Sequence, residues 1–438
     1  MKVLFINDST SSSNWGDRAA AVSLMAMVGQ SGGQIVYAVT EQNLWDSSFG
    51  KPSQGLSPSH EGKAREMARL CLPPVVLDAR RWVLSRRGGG GQDQHELIPT
   101  AWEDFEGAAA RVRQEQEHGW PAVLSAMDDA DVTVIHGASL HGNLLVPRTI
   151  LFLTYLAKTR FGKPVMIVNH TADLENAVLR RMAEHVYPLF DDVVYRDPIS
   201  AERLAPAYGG RFAADTAFWF KPAGKDAWAP LARRPTYLDV WPDTGSFDPD
   251  RPYLCLGGSS SFHDRASWDS LVDGYSAVIG HLRSTYSGTV VLTASAELDE
   301  PVFRVLARRF GLPLIGVRTP VQQAVDILGN ADAYIGGRWH PSIFALRGGT
   351  PLLPLSSQTV KMKALANMTG SPETFDTLDL RREAPAIGRQ LTHVLEQGDE
   401  LRRRIAVWAA EKADNSWDNV AYLIENRAVA GSAEDTHT

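Results

Sequence analysis

A short segment near residue 338 places an arginine and a histidine where an α/β protein could hold an anion. Arg338 and His340 follow an apolar run that ends at Ile335, and they precede an apolar-periodic segment opened by Pro341, a residue suited to a first helical turn. The two side chains are therefore expected between a strand and a helix start, where open α/β sheets bind ligands. A helix start and a guanidinium favour carboxylate or phosphate, and an imidazole exchanges protons near neutral pH. An anionic substrate fits this segment, and so does a loop in which both side chains only bond carbonyl groups.

Several other predicted strands also end in polar side chains that could contact a ligand. Asp17 follows the first strand, where it could either serve a substrate or cap the next helix. Arg196 follows a later strand, and an internal ion pair is its structural alternative. Small residues in the remaining loops would let a ligand approach the backbone closely. The candidate ligand contacts from these loops are Asn14, Gly16, Asp17, His170, Arg196, Ser259 and Ser260.

Predicted strands and helices alternate along the chain in two series. Each series is expected to form a sheet that positions some of these loops. The first series covers residues 1–220 with an insertion at about 41–120, and the second covers residues 252–428. Residues 221–251 are rich in Pro, Trp, Gly and Asp, which predicts a linker, and the small polar residues of 429–438 predict a disordered tail. The pattern predicts an α/β protein of two Rossmann-like, doubly wound domains that face each other across a cleft.

Composition excludes several classes of protein. The 438 residues carry a formal net charge of −7, which argues against a nucleic-acid binder that works through bulk positive charge. Cys71 and Cys255 are the only cysteines, so a disulfide framework is excluded and a cytoplasmic location is expected. No apolar run reaches the ~20 residues that cross a bilayer, although peripheral contact with the inner face of a membrane is left open. No metal-binding, esterase-type or Walker motif occurs in the sequence, so neither a metal ion nor a bound cofactor is expected.

The order of the motifs along the chain resembles that of the polysaccharide pyruvyl transferase family. The resemblance covers residues 3–370 and depends on the whole ordered set, since no single motif is specific. The motifs are Asn14-x-Gly16-Asp17, Arg196-Asp197-x-x-Ser200, Asp215-x-Ala217-Phe218, Arg338-x-His340, Ile343-x-Ala345, Gly349-x-Pro351 and Lys361. The resemblance implies a fold of the glycosyltransferase-B type. It also implies an enzyme that moves the enolpyruvyl part of phosphoenolpyruvate onto two sugar hydroxyls, giving a pyruvate ketal and phosphate.

The resemblance further implies roles for individual residues. Arg338 and Arg196 are expected to hold the carboxylate and the phosphate of phosphoenolpyruvate, the donor substrate. His340 is expected to protonate the methylene carbon and then to act as a base for a sugar hydroxyl. Asp17 would orient or deprotonate the acceptor, and Lys361 would neutralise phosphate unless it forms an ion pair at a helix start. The acceptor is expected to be a sugar or a lipid-linked oligosaccharide used in building a cell-envelope polysaccharide.

Two departures from the family pattern fall where an acceptor would bind. The predicted turn after the third strand, Gly137-Ala138-Ser139, is less glycine-rich than is usual in the family, and the insertion carries no family motif. Two other functions therefore stay open. One is a nucleotide-sugar-dependent glycosyltransferase of the same architecture, for which Asp326 and Asp332 look structural rather than ribose-binding. The other is a non-catalytic carbohydrate-binding relative.

Overall fold

Two parallel β-sheets, one in each half of the chain, organise the molecule. A computed structural model describes residues 1–49, 97–142, 144–263, 268–357, 359–370 and 374–426. Residues 50–96 of the predicted insertion and the predicted disordered tail at 429–438 lie outside the described residues. Among the helices that the structure describes, none combines the length and the apolar character needed to cross a bilayer.

The N-terminal sheet is built from β1 (Lys2–Asp8), β2 (Gln34–Thr40), β3 (Val132–His141), β4 (Val165–Asp173), β5 (Asp192–Tyr195) and β6 (Arg211–Phe212). The strands lie in the order β2-β1-β3-β4-β5-β6, and every neighbouring pair is parallel. Successive strands extend to opposite sides of β1, so a crevice forms at the carboxyl ends of β1 and β3. We call the part of the chain packed on this sheet the N-terminal lobe.

Helices cover both faces of this sheet. They are α1 (Trp15–Gln30), α2 (Glu41–Asp46), α3 (Phe105–Val112), α4 (Trp120–Asp129), α5 (Leu145–Phe161), α6 (Ala177–Val186) and α7 (Pro198–Tyr208). Side chains alternate across a strand, so Leu4 and Ile6 of β1 enter one core cluster while Val3 and Phe5 enter the other. All four residues are buried. This explains why the first strand reads as a continuous apolar run rather than an alternating one.

The C-terminal sheet contains β7 (Tyr253–Ser259), β8 (Thr289–Thr293), β9 (Leu314–Ile315), β10 (Tyr334–Gly337) and β11 (Leu352–Pro354) in the parallel order β11-β10-β7-β8-β9. We call the part of the chain around it the C-terminal lobe. Its helices are α8 (Lys225–Ala232), α9 (Trp268–Thr285), α10 (Asp299–Phe310), α11 (Val321–Gly329), α12 (Trp339–Arg347), α13 (Lys361–Thr369), α14 (Leu380–Glu396) and α15 (Gly398–Asn415). The crevice of this sheet lies after β7 and β10, and it faces the crevice of the other sheet.

Two segments near the predicted domain boundaries make packing contacts that a single sequence does not reveal. Within the predicted linker at 221–251, Trp228 of α8 is buried in the C-terminal core, and Val240 forms an antiparallel bridge with Ile315 of β9. The end of the described chain returns to the N-terminal lobe, where Val420 and Leu423 pack against the core beneath β1.

The two lobes are joined directly at the start of α1. The backbone N–H of Trp15 donates to the Ser295 carbonyl (3.0 Å), and its indole N–H donates to the Val317 carbonyl (3.1 Å). Arg18 donates from Nη2 to the carbonyls of Val317 (3.0 Å) and Thr319 (2.8 Å). These bonds fix the amino end of α1 against the C-terminal lobe, so its first turn can contribute to a site shared by both lobes.

Candidate active site

A cavity of about 1150 Å³, part of it open to solvent, lies between the carboxyl ends of the two sheets. The predicted site residues that line it are Asn14, Asp17, Arg196, Ser260, Arg338, His340 and Lys361. The first three belong to the N-terminal lobe and the others to the C-terminal lobe. Residues that are far apart in sequence are therefore brought together at one place.

Arg338 is fixed by a buried carboxylate from the start of α10. It follows β10 directly, and its Nε and Nη2 donate to the two oxygens of Asp299 at 2.9 and 2.7 Å. Asp299 also accepts from the backbone N–H groups of Ser295 and Ala296 (3.2 and 3.1 Å). Burial by itself would lower the pKa of Arg338, but the charge and hydrogen bonds of Asp299 hold that pKa above its usual value. The guanidinium is thus a permanent cation in a fixed plane at the cavity wall.

A second buried carboxylate, Asp215, connects the two lobes. Its Oδ2 accepts from the Trp339 indole N–H (2.9 Å) and lies 3.3 Å from Nη1 of Arg196 and 3.4 Å from Nε2 of His340. Its Oδ1 accepts from the backbone N–H of Ala217 at 2.8 Å. Burial opposes ionisation, but the charges of His340 and Arg196 hold the pKa of Asp215 well below its usual value. One carboxylate therefore orients an arginine from its own lobe and an imidazole from the other.

Gly16, in the first turn of α1, makes room for this imidazole. A Cβ atom added at Gly16 would lie 2.6 Å from Cβ of His340 and closer still to the ring. Any side chain at this position would displace the histidine. Asn14 caps α1 by accepting the Gly16 N–H at 2.9 Å, which holds the loop in this close approach. The Asn-x-Gly motif is thus explained by packing against His340.

Two carboxylates from the N-terminal lobe lie at another part of the same cavity. Asp17 is in the first turn of α1, and Glu41 is the first residue of α2. Burial and, to a smaller extent, the charge of Asp17 raise the pKa of Glu41 to about 7, although hydrogen bonds with Trp45 and Ser12 oppose part of this rise. Sequence reasoning missed Glu41 because it lies in the insertion, although the capping box formed by Thr40 and Asn43 could have located α2.

Lys361 begins α13 and also lines the cavity. Burial lowers its pKa to about 8, and the nearby charge of Arg196 contributes to this shift. The charges of Asp17 and Asp197 act in the opposite direction. A cation at this position adds to the positive field that Arg196 and Arg338 create, which suits a ligand with more than one negative charge.

Two predicted substrate contacts, His170 and Ser259, are placed in the core and do not line the cavity. Nε2 of His170 lies 2.6 Å from the Tyr187 hydroxyl, and its ring stacks on Tyr195. Burial, reinforced by the charge of Arg196, lowers the pKa of His170 to about 3. Ser259 donates its hydroxyl to the carbonyl of Ser356 at 2.6 Å.

The positions of these two side chains have a common physical cause, which is the length of the strands. The strand β3 does not turn at Gly137 but continues through His141, paired in parallel with β4 as far as Asp173. His170 is therefore a strand residue, and Ser259 is likewise the last residue of β7. Strand side chains alternate between the two faces of a sheet, and these two point into packed regions rather than into the crevice.

Comparison with known proteins agrees with this architecture. The profile of the polysaccharide pyruvyl transferase family matches residues 41–359, which is more than half of the chain. No curated protein sequence matches at a significant level.

The solved structures that this chain is similar to are also two-lobed. UDP-GlcNAc 2-epimerase from Neisseria meningitidis, bound to UDP-GlcNAc, superposes with a TM-score of 0.54 at 10% identity, covering 97% of this chain and 100% of the epimerase. UGT89C1 of Arabidopsis thaliana, complexed with quercetin, gives 0.51 at 11% identity over 97% of this chain and 98% of that one. At such identities the likeness establishes the fold alone, which is two Rossmann-like domains of the glycosyltransferase-B type. The family match over most of the chain shows that this protein belongs to the polysaccharide pyruvyl transferase family.

Proposed function

We propose that the protein transfers the enolpyruvyl group of phosphoenolpyruvate onto two hydroxyls of a sugar, forming a cyclic pyruvate ketal and releasing phosphate. The observation that carries this proposal is the arrangement around Asp215. A buried carboxylate brings Arg196 and His340, from opposite lobes, into one cavity with Arg338. The cavity thus combines fixed cations with a group that can donate a proton, which is what an enol phosphate requires.

The positive groups match the two anionic ends of phosphoenolpyruvate. Its carboxylate and phosphate each need a cationic partner, and Arg338, Arg196 and Lys361 are available on the cavity wall. The amino end of α12 adds N–H groups that favour an anion. The guanidinium of Arg338 is already fixed in its plane by Asp299, so little conformational freedom is lost when the substrate binds.

Proton transfers in this reaction can be balanced with groups that line the cavity. Protonated His340 gives its proton to the methylene carbon while a sugar oxygen bonds to the central carbon. The proton of that hydroxyl passes to a carboxylate of the cavity, Asp17 or Glu41. Phosphate then leaves with the electron pair of its C–O bond and takes up this proton. The second hydroxyl closes the ketal and returns a proton to His340, so both groups regain their starting state.

Product analysis tests the proposal. The purified protein is incubated with phosphoenolpyruvate and a panel of glycosides, and phosphate release and product mass are measured. We expect phosphate release that depends on an acceptor, together with a product whose mass has increased by that of a pyruvate ketal. Release of phosphate with no acceptor-derived product, or no release with any glycoside, would contradict the proposal.

The alternative, a nucleotide-sugar-dependent glycosyltransferase, is tested in the same samples by thermal shift. Phosphoenolpyruvate should raise the melting temperature, whereas a uridine sugar should not. The carboxylates that could have bound a ribose have protein partners, since Asp326 accepts from the Tyr237 hydroxyl (2.6 Å) and Asp332 from the Tyr286 hydroxyl (2.5 Å). A shift with the uridine sugar alone would favour the alternative.

A further inference from the structure

The helix α2 presents an acid and an aromatic side chain to the same cavity. Glu41 and Trp45 are four residues apart, so they lie on one side of the helix, and both line the cavity. Trp45 is 47% exposed, although large aromatic side chains usually gain stability by burial. Leu44 of the same helix is buried in the core of the N-terminal lobe and fixes α2 there. The exposed indole is thus held in place rather than left on a loose loop.

We propose that Glu41 and Trp45 form the acceptor subsite, in which Trp45 supports the apolar face of a neutral sugar ring and Glu41 takes the proton from the attacking hydroxyl. This inference rests on the proposed function, because it assigns the acceptor half of the same cavity. A pyranose has a face of C–H groups that packs well on an aromatic ring, while its hydroxyls need polar partners at the edge. An indole with a carboxylate beside it supplies both.

The charges around Glu41 select between acceptor classes. The charged group that acts on Glu41 is Asp17 of α1, whereas Ser12 and Trp45, which form hydrogen bonds with it, are uncharged. Two neighbouring carboxylates repel an acidic sugar, so a uronic acid should be a poor acceptor. The subsite therefore suits a neutral hexose, and the negative charge of the product comes from the pyruvate that is added.

The proton step follows directly from this placement. As the oxygen of the sugar hydroxyl bonds to the central carbon of the donor, its O–H bond breaks and the proton moves to a carboxylate oxygen of Glu41. The same proton later leaves with phosphate. Because the pKa of Glu41 is raised to about 7, both protonation states are populated near neutral pH, and accepting and releasing a proton are both accessible.

Steady-state kinetics with separate variation of the two substrates tests the assignment. Trp45→Ala should raise the KM for a neutral methyl glycoside about tenfold, and Trp45→Phe should restore most of the loss, because an aromatic face returns. Glu41→Gln should lower kcat about 10²-fold and remove the fall in kcat/KM below pH 7. The KM for phosphoenolpyruvate should stay constant in all three variants. Asp46→Asn, on the same helix but outside the cavity lining, is the matched control and should change none of these values.

A binding measurement separates this inference from the proposed function. Methyl glucoside, galactoside and mannoside are titrated calorimetrically against the intact protein, with methyl glucuronide as the acidic comparison. We expect binding of at least one neutral glycoside, weakened in Trp45→Ala and stronger than that of the glucuronide. If wild-type protein binds the glycoside but does not release phosphate, the proposed function fails and the subsite stands. Unchanged glycoside binding in Trp45→Ala, or unchanged kcat in Glu41→Gln, would overturn the subsite.

Discussion

The two walls of the cavity hold carboxylates whose pKa values move in opposite directions. We call the set Arg196, Asp215, Asp299, Arg338 and His340 the donor wall, and the set Asp17, Glu41 and Trp45 the acceptor wall. Asp215 on the donor wall lies between two positive groups, and its pKa is held well below the usual value despite burial. Glu41 on the acceptor wall lies near another carboxylate, and its pKa is raised to about 7. The sign of the neighbouring charge, rather than burial alone, decides between them.

This difference suggests a division of work. A carboxylate that stays ionised can hold an arginine and an imidazole in place through the reaction, whereas a carboxylate that titrates near neutral pH can exchange a proton with substrate. Asp215 of the donor wall therefore keeps its charge and orients its neighbours, whereas Glu41 of the acceptor wall can gain and lose a proton. Substitutions on the two walls should have different kinetic signatures, and the following changes test this from the largest expected effect to the smallest.

Removal of the His340 imidazole should give the largest loss of turnover. His340→Ala is expected to lower turnover by about 10²–10⁴, because no proton donor remains beside the donor substrate. Phosphate release measures the loss, and circular dichroism checks the fold. An exposed histidine of α14, His393, provides the control variant His393→Ala, which should keep full turnover. Near-normal phosphate release by His340→Ala would remove this residue from the chemistry.

Replacement of the fixed guanidinium should be nearly as severe. Arg338→Lys is expected to lower kcat/KM for phosphoenolpyruvate by about 10²–10³, because a point charge cannot bond Asp299 and the substrate with the same planar geometry. The melting temperature should also fall, since Asp299 would lose a buried partner. The control Arg347→Lys lies at the other end of α12, where the arginine donates to the Phe220 carbonyl. Equal kinetic effects of the two variants would contradict a special role for Arg338.

A methyl group added at Gly16 should lower turnover by displacing His340. Gly16→Ala is expected to reduce turnover about 10²-fold, because the new Cβ would displace His340 from its productive position. Gly29→Ala, on the same helix, has open space around the added Cβ and should instead stabilise the protein by about 1 kcal/mol. Melting temperatures and phosphate release are measured for both variants. The comparison fails if Gly16→Ala is as active as Gly29→Ala.

The last test concerns stability in acid rather than turnover, and it depends on two histidines behind the donor wall. Burial, together with the charge of Arg196, lowers the pKa of His136 to about 4 and that of His170 to about 3. The unfolded chain takes up protons below pH 6.5 that the folded protein does not. The free energy of unfolding should therefore fall with decreasing pH, by up to about 1.4 kcal/mol per pH unit for each histidine.

Urea unfolding between pH 4 and 7 measures this dependence. His136→Gln should make the curve flatter, whereas His281→Gln, an exposed histidine of α9, should leave it unchanged. Glu41 acts in the opposite sense, because its raised pKa means that the folded state holds an extra proton between pH 4.5 and about 7. Glu41→Gln should thus steepen the loss of stability in acid. A curve that is insensitive to both substitutions would contradict the pKa shifts.

Local pattern was sufficient to predict much of the fold. Each of the two predicted series contains a parallel sheet with helices, and Arg338 and His340 lie at a strand-to-helix corner as expected. Elements held by distant contacts were predicted less well. The turn expected at Gly137 is part of a longer strand because β4 continues beside it, and a single sequence does not show that pairing.

The hydrogen-bonding partners of the site residues were also not predictable from local sequence pattern. Asp215 and His340 are 125 residues apart, and Asp299 precedes Arg338 by 39 residues. The sequence marks Asp215 only as a member of an ordered motif and Asp299 only as an acid at a helix start. Their roles depend on how the two sheets face each other. The hydrophobic periodicity and the motif spacing of one sequence do not show this arrangement.

The contacts of Oδ2 of Asp215 also affect how the two lobes can move relative to each other. Two of its neighbours, Trp339 and His340, belong to the opposite lobe. A hinge movement that widened the cleft would have to strip both from the carboxylate, and the imidazole would then lose the partner that aims it. In the proposed reaction, an open conformation would thus lack an aligned imidazole, so phosphoenolpyruvate would not be hydrolysed before a sugar has bound.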